Sequence, residues 1–276
     1  MLDADRRFDA VVIGAGFSGL YALHRLRQLG LRTRVLEMAE NVGGTWLYNR
    51  YPGARCDIES IEYSYSFSEE IQQEWVWTDS MPAQPEVEAY LNFVADRLDL
   101  RRDITFDTKV VAMAFDEEAA QWELRTERGE TYIAPFVVAA SGILSVPLEP
   151  DIPGMATFAG TSLFASRWPR EGFDLTGKRV GVIGTGASAI QIIPELVKQA
   201  DFVKVFQRTP GWVLPRFDFA TPPAVQTVFN KAPAVQQLAR QALYWGYEAS
   251  ATALVWNTPL TSVVARLGKM HLNRQV

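Results

Sequence analysis

Two glycine-rich turns, about 170 residues apart, constrain the fold of this chain more than any other feature. The first is Gly14-Ala-Gly16-Phe-Ser-Gly19 and the second is Gly184-Thr-Gly186-Ala-Ser-Ala189. Each turn ends an apolar run that predicts a buried strand and begins a stretch with a helical pattern. A strand, a tight turn and a helix in that order place the phosphates of a dinucleotide at the helix N-terminus. The sequence therefore predicts two dinucleotide sites in one chain.

The first turn has the complete surroundings of a Rossmann-type site. The predicted elements are a strand over residues 8–13, a helix over residues 18–29 and a strand over residues 34–36. Gly14 makes the tight turn, Gly16 lets the backbone approach a pyrophosphate, and Gly19 lets helix and strand pack closely. Glu37 follows the second strand, where an acidic side chain accepts hydrogen bonds from a ribose. We interpret this copy as an FAD site, the alternative being ordinary turn glycines beside an exposed glutamate.

The second turn repeats the pattern with a different residue at the strand end. Its predicted elements are a strand over residues 179–183, a helix over residues 187–198 and a strand over residues 202–206. Ala189 replaces the last glycine, which is a permitted variant. After the second strand come Gln207 and Arg208 instead of an acid. A guanidinium binds a ribose 2'-phosphate in a bidentate fork, which an acid would repel. We therefore predict NADPH here rather than NADH, the alternative being that Arg208 is a solvated surface charge.

Composition is typical of an ordinary globular enzyme. The chain has 276 residues, 48% of them apolar, and a net charge of -5, which gives no footprint for nucleic acid. Cys56 is the single cysteine, which excludes an internal disulfide and favours a reducing, cytoplasmic compartment. The charged N-terminus does not resemble a signal peptide. The two histidines, His24 and His271, suggest no metal site.

The segment between the two turns carries a more specific resemblance. Gly43-Gly44-Thr45-Trp46, then Tyr51-Pro52-Gly53 and then Asp57 resemble one fingerprint of the Baeyer-Villiger monooxygenases, within the class B flavin-dependent monooxygenases. The similarity continues in five further segments and covers essentially the whole chain: residues 56–60, 73–75, 93–96, 138–142 and 152–154.

A second family fingerprint is present with one departure. It is Phe, any residue, Gly, three residues, His, three residues, Trp, Pro, and residues 158–169 resemble it. Phe158, Gly160, Trp168 and Pro169 match, whereas Phe164 stands in place of the histidine. In the family this segment joins the two domains and is thought to couple cofactor movement to oxygenation. Phenylalanine has no ring nitrogen, so any hydrogen bond from that position is lost and coupling is the property expected to suffer.

The resemblance implies an α/β fold with two Rossmann-like dinucleotide-binding domains. Residues 1–150 would be the FAD domain and residues 151–276 the NADPH domain, with a helical segment from about residue 222. The implied activity is insertion of one oxygen atom from O2 into a small-molecule ketone, giving an ester or lactone. In the family NADPH reduces the flavin, and a peroxide formed at flavin C4a attacks the ketone.

The resemblance also assigns site residues by position. Asp57 is implied as the catalytic carboxylate that holds the family's active-site arginine, and it also meets the ribose side of NADPH. Arg55 is the nearest cofactor-binding cation, although we do not assign it that arginine's role. The remaining implied FAD contacts are Gly14, Gly16, Gly19, Glu37, Thr45, Trp46, Tyr63 and Val110. The implied NADPH contacts are Gly184, Thr185, Gly186, Ala187, Ser188, Ala189, Gln191, Arg208 and Thr209. Asp57 as a turn-capping acid, and Trp46 and Tyr63 as core aromatics, are the alternatives.

Several functional alternatives stay open at this point. Family members are about twice as long, and their active-site arginine lies beyond the position of Val276, so we expect a fragment, a compact variant or half of a split enzyme. N- or S-oxygenation, an NADPH oxidase-like flavoprotein that releases hydrogen peroxide, and an inactive fragment needing the other half are the competing interpretations. We predict no metal, no nucleic acid and no transmembrane segment. Contact of the aromatic stretch between Arg240 and Arg266 with a membrane surface is a further alternative.

Overall fold

The computed structural model describes residues 6–211, 216, 218–256 and 259–275. The elements follow one another as β1 (Ala10–Ile13), α1 (Phe17–Gln28), β2 (Thr33–Leu36), α2 (Thr45–Tyr48), α3 (Ser60–Tyr63), α4 (Glu69–Glu74), α5 (Gln84–Arg97), β3 (Ile104–Thr105), β4 (Val110–Asp116), β5 (Gln121–Thr126), β6 (Thr131–Ala134), β7 (Phe136–Ala139), β8 (Arg179–Ile183), α6 (Ala187–Val197), β9 (Phe202–Phe206), α7 (Pro223–Lys231), α8 (Pro233–Val255) and α9 (Pro259–Gln275).

The chain forms two compact units, each of which is discontinuous in sequence. The first unit comprises Met1–Tyr51 and Gln84–Gly172, and the second unit comprises Pro52–Ala83 and Phe173–Val276. The sequence predicts a single boundary at residue 150 instead. The difference arises because residues 52–83 pack with the later part of the chain, while residues 151–172 stay with the earlier part.

A four-stranded parallel sheet organises the first unit, in the order β3-β2-β1-β7. In register, Ala10 of β1 is paired with Thr33 of β2 on one side and with Phe136 of β7 on the other. Three of the four residues of β1 are fully buried, as expected for a central strand covered on both faces. β7 lies at the edge of this sheet, and Phe136 there is 62% exposed.

A smaller antiparallel sheet, in the order β4-β5-β6, completes the first unit. It is linked to β1 because the Phe8 amide donates to the Ile133 carbonyl of β6 at 3.0 Å. A hydrophobic cluster between the two sheets includes Phe8, Leu36 and Leu124. This cluster fixes the sheet whose carboxyl ends carry the first glycine-rich turn.

Helix α1 follows that turn directly. It buries Gly19, Leu20 and Leu23, which lie on one side of the helix, and it ends near Gly30, where φ is +76°. The sequence-based prediction of a strand, this helix and a second strand is confirmed, with boundaries shifted by one or two residues.

The second unit contains the second glycine-rich turn. β8 and β9 are paired in parallel, with Arg179 opposite Phe202 and Ile183 opposite Phe206, and both strand predictions are confirmed to the residue. Helix α6 lies between them in sequence and buries Ile192 and Leu196, four residues apart on one face. The predicted helical segment after residue 222 is present as α7, α8 and α9.

Residues 43–67 contain two single-turn helices, α2 and α3, joined by irregular backbone. Within the described residues, no helix has both the length and the apolarity needed to cross a membrane. The predicted fold class is confirmed as α/β with two Rossmann-like arrangements of strand, turn and helix.

Candidate functional site

The first glycine-rich turn is closed so tightly that two of its glycines admit no side chain. Gly14 has φ +99°, and a Cβ atom there would lie 2.6 Å from the Ala140 carbonyl oxygen. A Cβ atom on Gly19 would lie 1.8 Å from the Gly14 carbonyl oxygen. Gly14 and Gly19 therefore perform the turn and packing roles that the sequence predicts for them.

The start of α1 is arranged to receive an anion. Its N-cap is Gly16, and no side chain caps the first turn of the helix within the described structure. The amide groups of that turn have no intrahelical acceptor and point along the helix axis. A pyrophosphate fits these donors in charge and direction, which satisfies the requirement for a bound FAD.

The first family fingerprint packs against this turn. The Gly43 amide donates to the Ala15 carbonyl at 3.1 Å, and a Cβ atom built on Gly44 would lie 3.0 Å from the Gly16 Cα atom. Gly44 also has φ +54°. Two glycine backbones thus face each other, and the Thr45 end of α2 is brought beside the predicted phosphate site.

Glu37 lies at the carboxyl end of β2, as predicted, and its side chain is only 4% exposed. Its Oε2 atom accepts from the Ala15 amide at 2.5 Å, and its Oε1 atom accepts from the Ala39 amide at 2.9 Å. Burial raises the pKa of this carboxyl above its ordinary value of 4.5, although the hydrogen bonds from Ala15, Ala39 and Met38 oppose that shift. With three backbone donors on its two oxygens, the carboxylate keeps one lone pair with which to accept a ribose hydroxyl.

The raised pKa of Glu37 predicts a particular pH dependence of stability. Because the folded state binds this proton more tightly than the unfolded state, the stability contributed by Glu37 is greatest below about pH 4.5 and falls as pH rises through the raised pKa. Glu37→Gln does not titrate. The free energy of unfolding of the wild type, minus that of the variant, should therefore decrease as pH rises from 4 towards neutrality. Urea unfolding at a series of pH values measures this difference, and a difference that grows with pH would contradict the assignment.

The remaining predicted FAD contacts occupy different surroundings. Trp46 is 8% exposed, and its carbonyl oxygen accepts from the Gln84 side chain, so it packs as a core aromatic of the first unit. Val110 begins β4 and packs against the cluster of Phe8 and Leu36. Tyr63 ends α3 in the second unit. Contacts of these residues with FAD stay predictions.

The second turn has the same shape as the first with more open space. Gly184 has φ +106°, and its amide donates to the Phe206 carbonyl at 2.9 Å. A Cβ atom on Gly186 would meet no described atom within 4 Å, so packing within the chain does not explain this glycine. Gly186 is also the N-cap of α6, whose first turn has no side-chain cap in the described structure. The open space and the free helix terminus fit a second pyrophosphate.

Arg208 lies just beyond β9, at the carboxyl end of the strand pair and on the same edge as the turn. It is exposed, and among the described residues no carboxylate forms an ion pair with it. The preceding residue, Gln207, donates to the Thr185 hydroxyl of the turn at 3.0 Å. This hydrogen bond connects the end of β9 to the turn, so Arg208 and Thr209 follow directly after a residue that contacts the turn.

Asp57, the predicted catalytic residue, lies in the second unit beside α6. Its Oδ1 atom accepts from the Gln191 side-chain amide at 2.8 Å. The same Gln191 group donates to the Arg55 carbonyl at 3.1 Å. Asp57 is exposed, so a ligand can reach its carboxylate. The structure thus brings together Asp57, Arg55 and Gln191, whose roles towards cofactor remain predictions.

Asp218 is an acceptor in this region that the sequence reasoning missed. Its carboxylate forms an ion pair with Arg55, lies 3.3 Å from the Arg216 guanidinium, and accepts from the Ser80 hydroxyl at 3.1 Å. No motif surrounds Asp218, and it lies 163 residues from Arg55 in the sequence. Only the folded structure therefore reveals the pair.

A cavity of about 840 Å³ opens within the second unit beside these groups. Its wall is formed by Gly53, Arg55, Asp57, Glu59, Met81, Ile190, Gln191, Pro194, Glu195, Arg216 and Tyr247. Tyr247 of α8 donates to Glu59 at 2.5 Å, and burial together with that carboxylate raises the pKa of its hydroxyl. The volume suits a small organic molecule or part of a nucleotide.

Cys56 lies next to this region, but its thiol is unreactive. The thiol is buried, and burial is the main reason that its pKa is raised to about 11. A thiol with that pKa is almost entirely protonated at neutral pH and is a poor nucleophile.

The second fingerprint segment is part of the first unit. Arg167 places its guanidinium 4.7 Å from the ring centroid of Tyr48, which ends α2, and donates to the Ser145 carbonyl at 3.2 Å. Trp168 is buried, and Phe164, at the expected histidine position, is half-buried. The part of the first fingerprint segment that belongs to the first unit therefore contacts the second fingerprint segment through Tyr48 and Arg167.

Comparison with known proteins agrees with this geometry. Residues 8–245 match the family model described as flavin-binding monooxygenase-like. The chain belongs to this family. Flavin-binding monooxygenase-like relatives include the acetone monooxygenase (methyl acetate-forming) of Gordonia sp. strain TY-5, 48% identical over 75% of this chain and 39% of that protein. A Baeyer-Villiger monooxygenase of Streptomyces coelicolor is 46% identical over 85% of this chain and 44% of that protein.

Comparison with solved structures places the fold of this chain with the same flavin-binding monooxygenases. An oxidised steroid monooxygenase bound to NADP superimposes with a TM-score of 0.79 at 50% identity, covering 83% of this chain and 44% of that one. The resemblance to Baeyer-Villiger monooxygenases predicted from the two fingerprints is thereby confirmed. The chain spans less than half the length of each of these three proteins.

Proposed function

We propose that this chain binds FAD at the first turn and NADPH at the second, and serves a monooxygenase that inserts one oxygen atom of O2 into a ketone to give an ester or lactone. The observation that carries the proposal is the contrast between the two strand ends. Buried Glu37 stands beside the first turn and exposed Arg208 beside the second. The first suits a ribose with free hydroxyls and the second a ribose 2'-phosphate.

The substrate class follows from the relatives. Conversion of acetone into methyl acetate, which the Gordonia relative's name states, is the insertion of an oxygen atom next to a ketone carbonyl. FAD, when bound, supplies the redox chemistry, because it accepts hydride from NADPH and reacts with O2. The residues of this chain bind and orient: the amides at the start of α1 and α6 hold phosphates, and Glu37 and Arg208 select the riboses.

Asp57 is the residue we assign to the reacting region. Its carboxylate is exposed at the cavity wall, where it is available to orient a cation or a ribose hydroxyl. The ketone and O2 are the expected small-molecule partners. A reducing, cytoplasmic setting suits a chain whose single cysteine is a buried thiol.

A visible absorption spectrum of the purified chain with added FAD tests the first step. A flavin band that stays with the protein through gel filtration, and that bleaches on anaerobic addition of NADPH, supports both cofactor sites. Absence of a retained band would contradict FAD binding by this chain.

Reoxidation with ¹⁸O2 in the presence of acetone or a cyclic ketone tests the reaction. One labelled oxygen atom in the ester product, equal in amount to the NADPH consumed, is expected. Hydrogen peroxide as the only product with every ketone would overturn the oxygenation proposal in favour of an oxidase-like flavoprotein.

A further inference from the structure

The side chain of Gln191, on α6, forms hydrogen bonds with residues outside the helix. Its Oε1 atom accepts from the Arg55 amide at 3.2 Å, while its Nε2 atom donates to the Arg55 carbonyl at 3.1 Å and to Asp57 Oδ1 at 2.8 Å. One side-chain amide therefore pairs with both backbone groups of one residue and with the carboxylate two residues later.

The backbone around this contact is fitted closely. Gly53 has φ +79°, and a Cβ atom there would lie 2.5 Å from the Gln191 carbonyl oxygen, so the segment lies directly against the main chain of α6. Asp57 is exposed and would otherwise be free to rotate about its side-chain torsions. Of similar side chains only glutamine supplies a donor and an acceptor at this length, since glutamate lacks the donor and leucine lacks both.

The same residue connects two predicted sites. Gln191 lies four residues after Ala187, and residues four apart share a helix face. One turn of α6 thus separates the anion-binding helix start from the Asp57 carboxylate. Both Asp57 and Gln191 line the cavity of the second unit.

We propose that Gln191 is a positioning residue, which fixes the Asp57 carboxylate and residues 53–57 on α6 instead of acting through direct contact with NADPH. The proposal rests on the proposed function, because Asp57 matters only if the cavity receives a nucleotide or substrate. It differs from the contact role that the sequence resemblance implies for Gln191. Direct contact with NADPH is the competing outcome of the experiment.

Hydrogen exchange measured by mass spectrometry on the free protein tests the structural part without any cofactor. Gln191→Glu places a carboxylate against Asp57, and Gln191→Leu removes all three hydrogen bonds. Peptides covering residues 53–57 should exchange about tenfold faster in either variant, as expected when one or two net hydrogen bonds are lost. Gln199→Leu, an exposed glutamine just after the same helix, is the matched control and should leave that exchange unchanged.

A compensating variant separates positioning from general damage to α6. In the Gln191→Glu background, Asp57→Asn supplies a side-chain amide that donates to the new carboxylate, so the hydrogen bond returns with its direction reversed. Protection of residues 53–57 from hydrogen exchange should then recover at least partly. Failure to recover, or unchanged exchange in both single variants, would overturn the proposal.

Titration with NADP⁺ tests the positioning role of Gln191 separately from the proposed binding of the nucleotide. Gln191→Leu and Asp57→Asn should each lower the affinity for NADP⁺. The double variant should bind NADP⁺ about as well as the single variant with the lower affinity, because both substitutions act through one carboxylate. Additive losses would instead indicate that Gln191 contacts the nucleotide itself. A wild-type chain that binds no NADP⁺ would contradict the proposed function, while the exchange data would still decide the role of Gln191.

Discussion

Gly19→Ala is expected to destabilise the first unit severely. Alanine is the better helix former, which alone would favour the variant by about 1 kcal/mol. The new Cβ atom, however, would lie 1.8 Å from the Gly14 carbonyl oxygen and 2.9 Å from its carbonyl carbon, and both are backbone atoms. Backbone held by four parallel strands cannot move aside, so we expect a loss of about 4 kcal/mol or more. Urea unfolding and soluble yield measure this loss.

Gly16→Ala is the matched control for that experiment. Its Cβ atom would lie 3.5 Å from the Gly44 Cα atom, an ordinary contact, and Gly16 has φ -80°. This variant should fold with nearly wild-type stability but retain less FAD, because the methyl group occupies the approach to the helix terminus. Equal urea midpoints for Gly19→Ala and the wild type would show that the turn is less tightly closed than described.

Arg208→Ala should change the choice of nicotinamide nucleotide. A guanidinium that makes charge-assisted hydrogen bonds to a 2'-phosphate contributes about 2 kcal/mol at an exposed site, so affinity for NADPH should fall about 30-fold. Affinity for NADH should change less than about twofold, because NADH has no 2'-phosphate. Titration of both nucleotides by calorimetry measures the two losses.

Arg179→Ala removes an equal charge from the same strand pair, but at the amino end of β8, where the guanidinium lies over the Phe202 ring. It should leave both affinities close to wild type, since dinucleotides bind at the carboxyl ends of the strands. Equal losses for NADPH and NADH in Arg208→Ala would show that Arg208 does not bind the 2'-phosphate.

The sequence predicted the two turns and their neighbouring strands because those depend on local chemistry. Gly14 and Gly184 need a positive φ angle, and an apolar run followed by such a glycine has few other uses. Glu37 could be placed at a strand end by counting residues. Its hydrogen bonds to Ala15 and Ala39 could not, because amide directions depend on the closed turn.

Residues 52–83 were harder to place. Their sequence carries no long periodic pattern, so nothing in it indicates that they pack with residues 173–276 instead of with the preceding segment. The contacts that hold them are specific and distant, such as Gln191 with Arg55 and Asp218 with Ser80. Trp46 was equally ambiguous, since an aromatic residue beside glycines suits either a ligand wall or a core.

The discontinuous second unit has a consequence for biosynthesis. Arg55 and Gln191 are 136 residues apart, so at about 5 to 20 residues per second a ribosome needs roughly 7 to 27 s to supply the partner after Arg55 is made. Over that interval Cys56 and Ile71, both buried in the finished protein, have no completed core around them. The first unit is likewise incomplete at that stage, because its own chain resumes only at Gln84. Until Gln191 has been made, Cys56 and Ile71 therefore remain in an unpacked segment of the nascent chain.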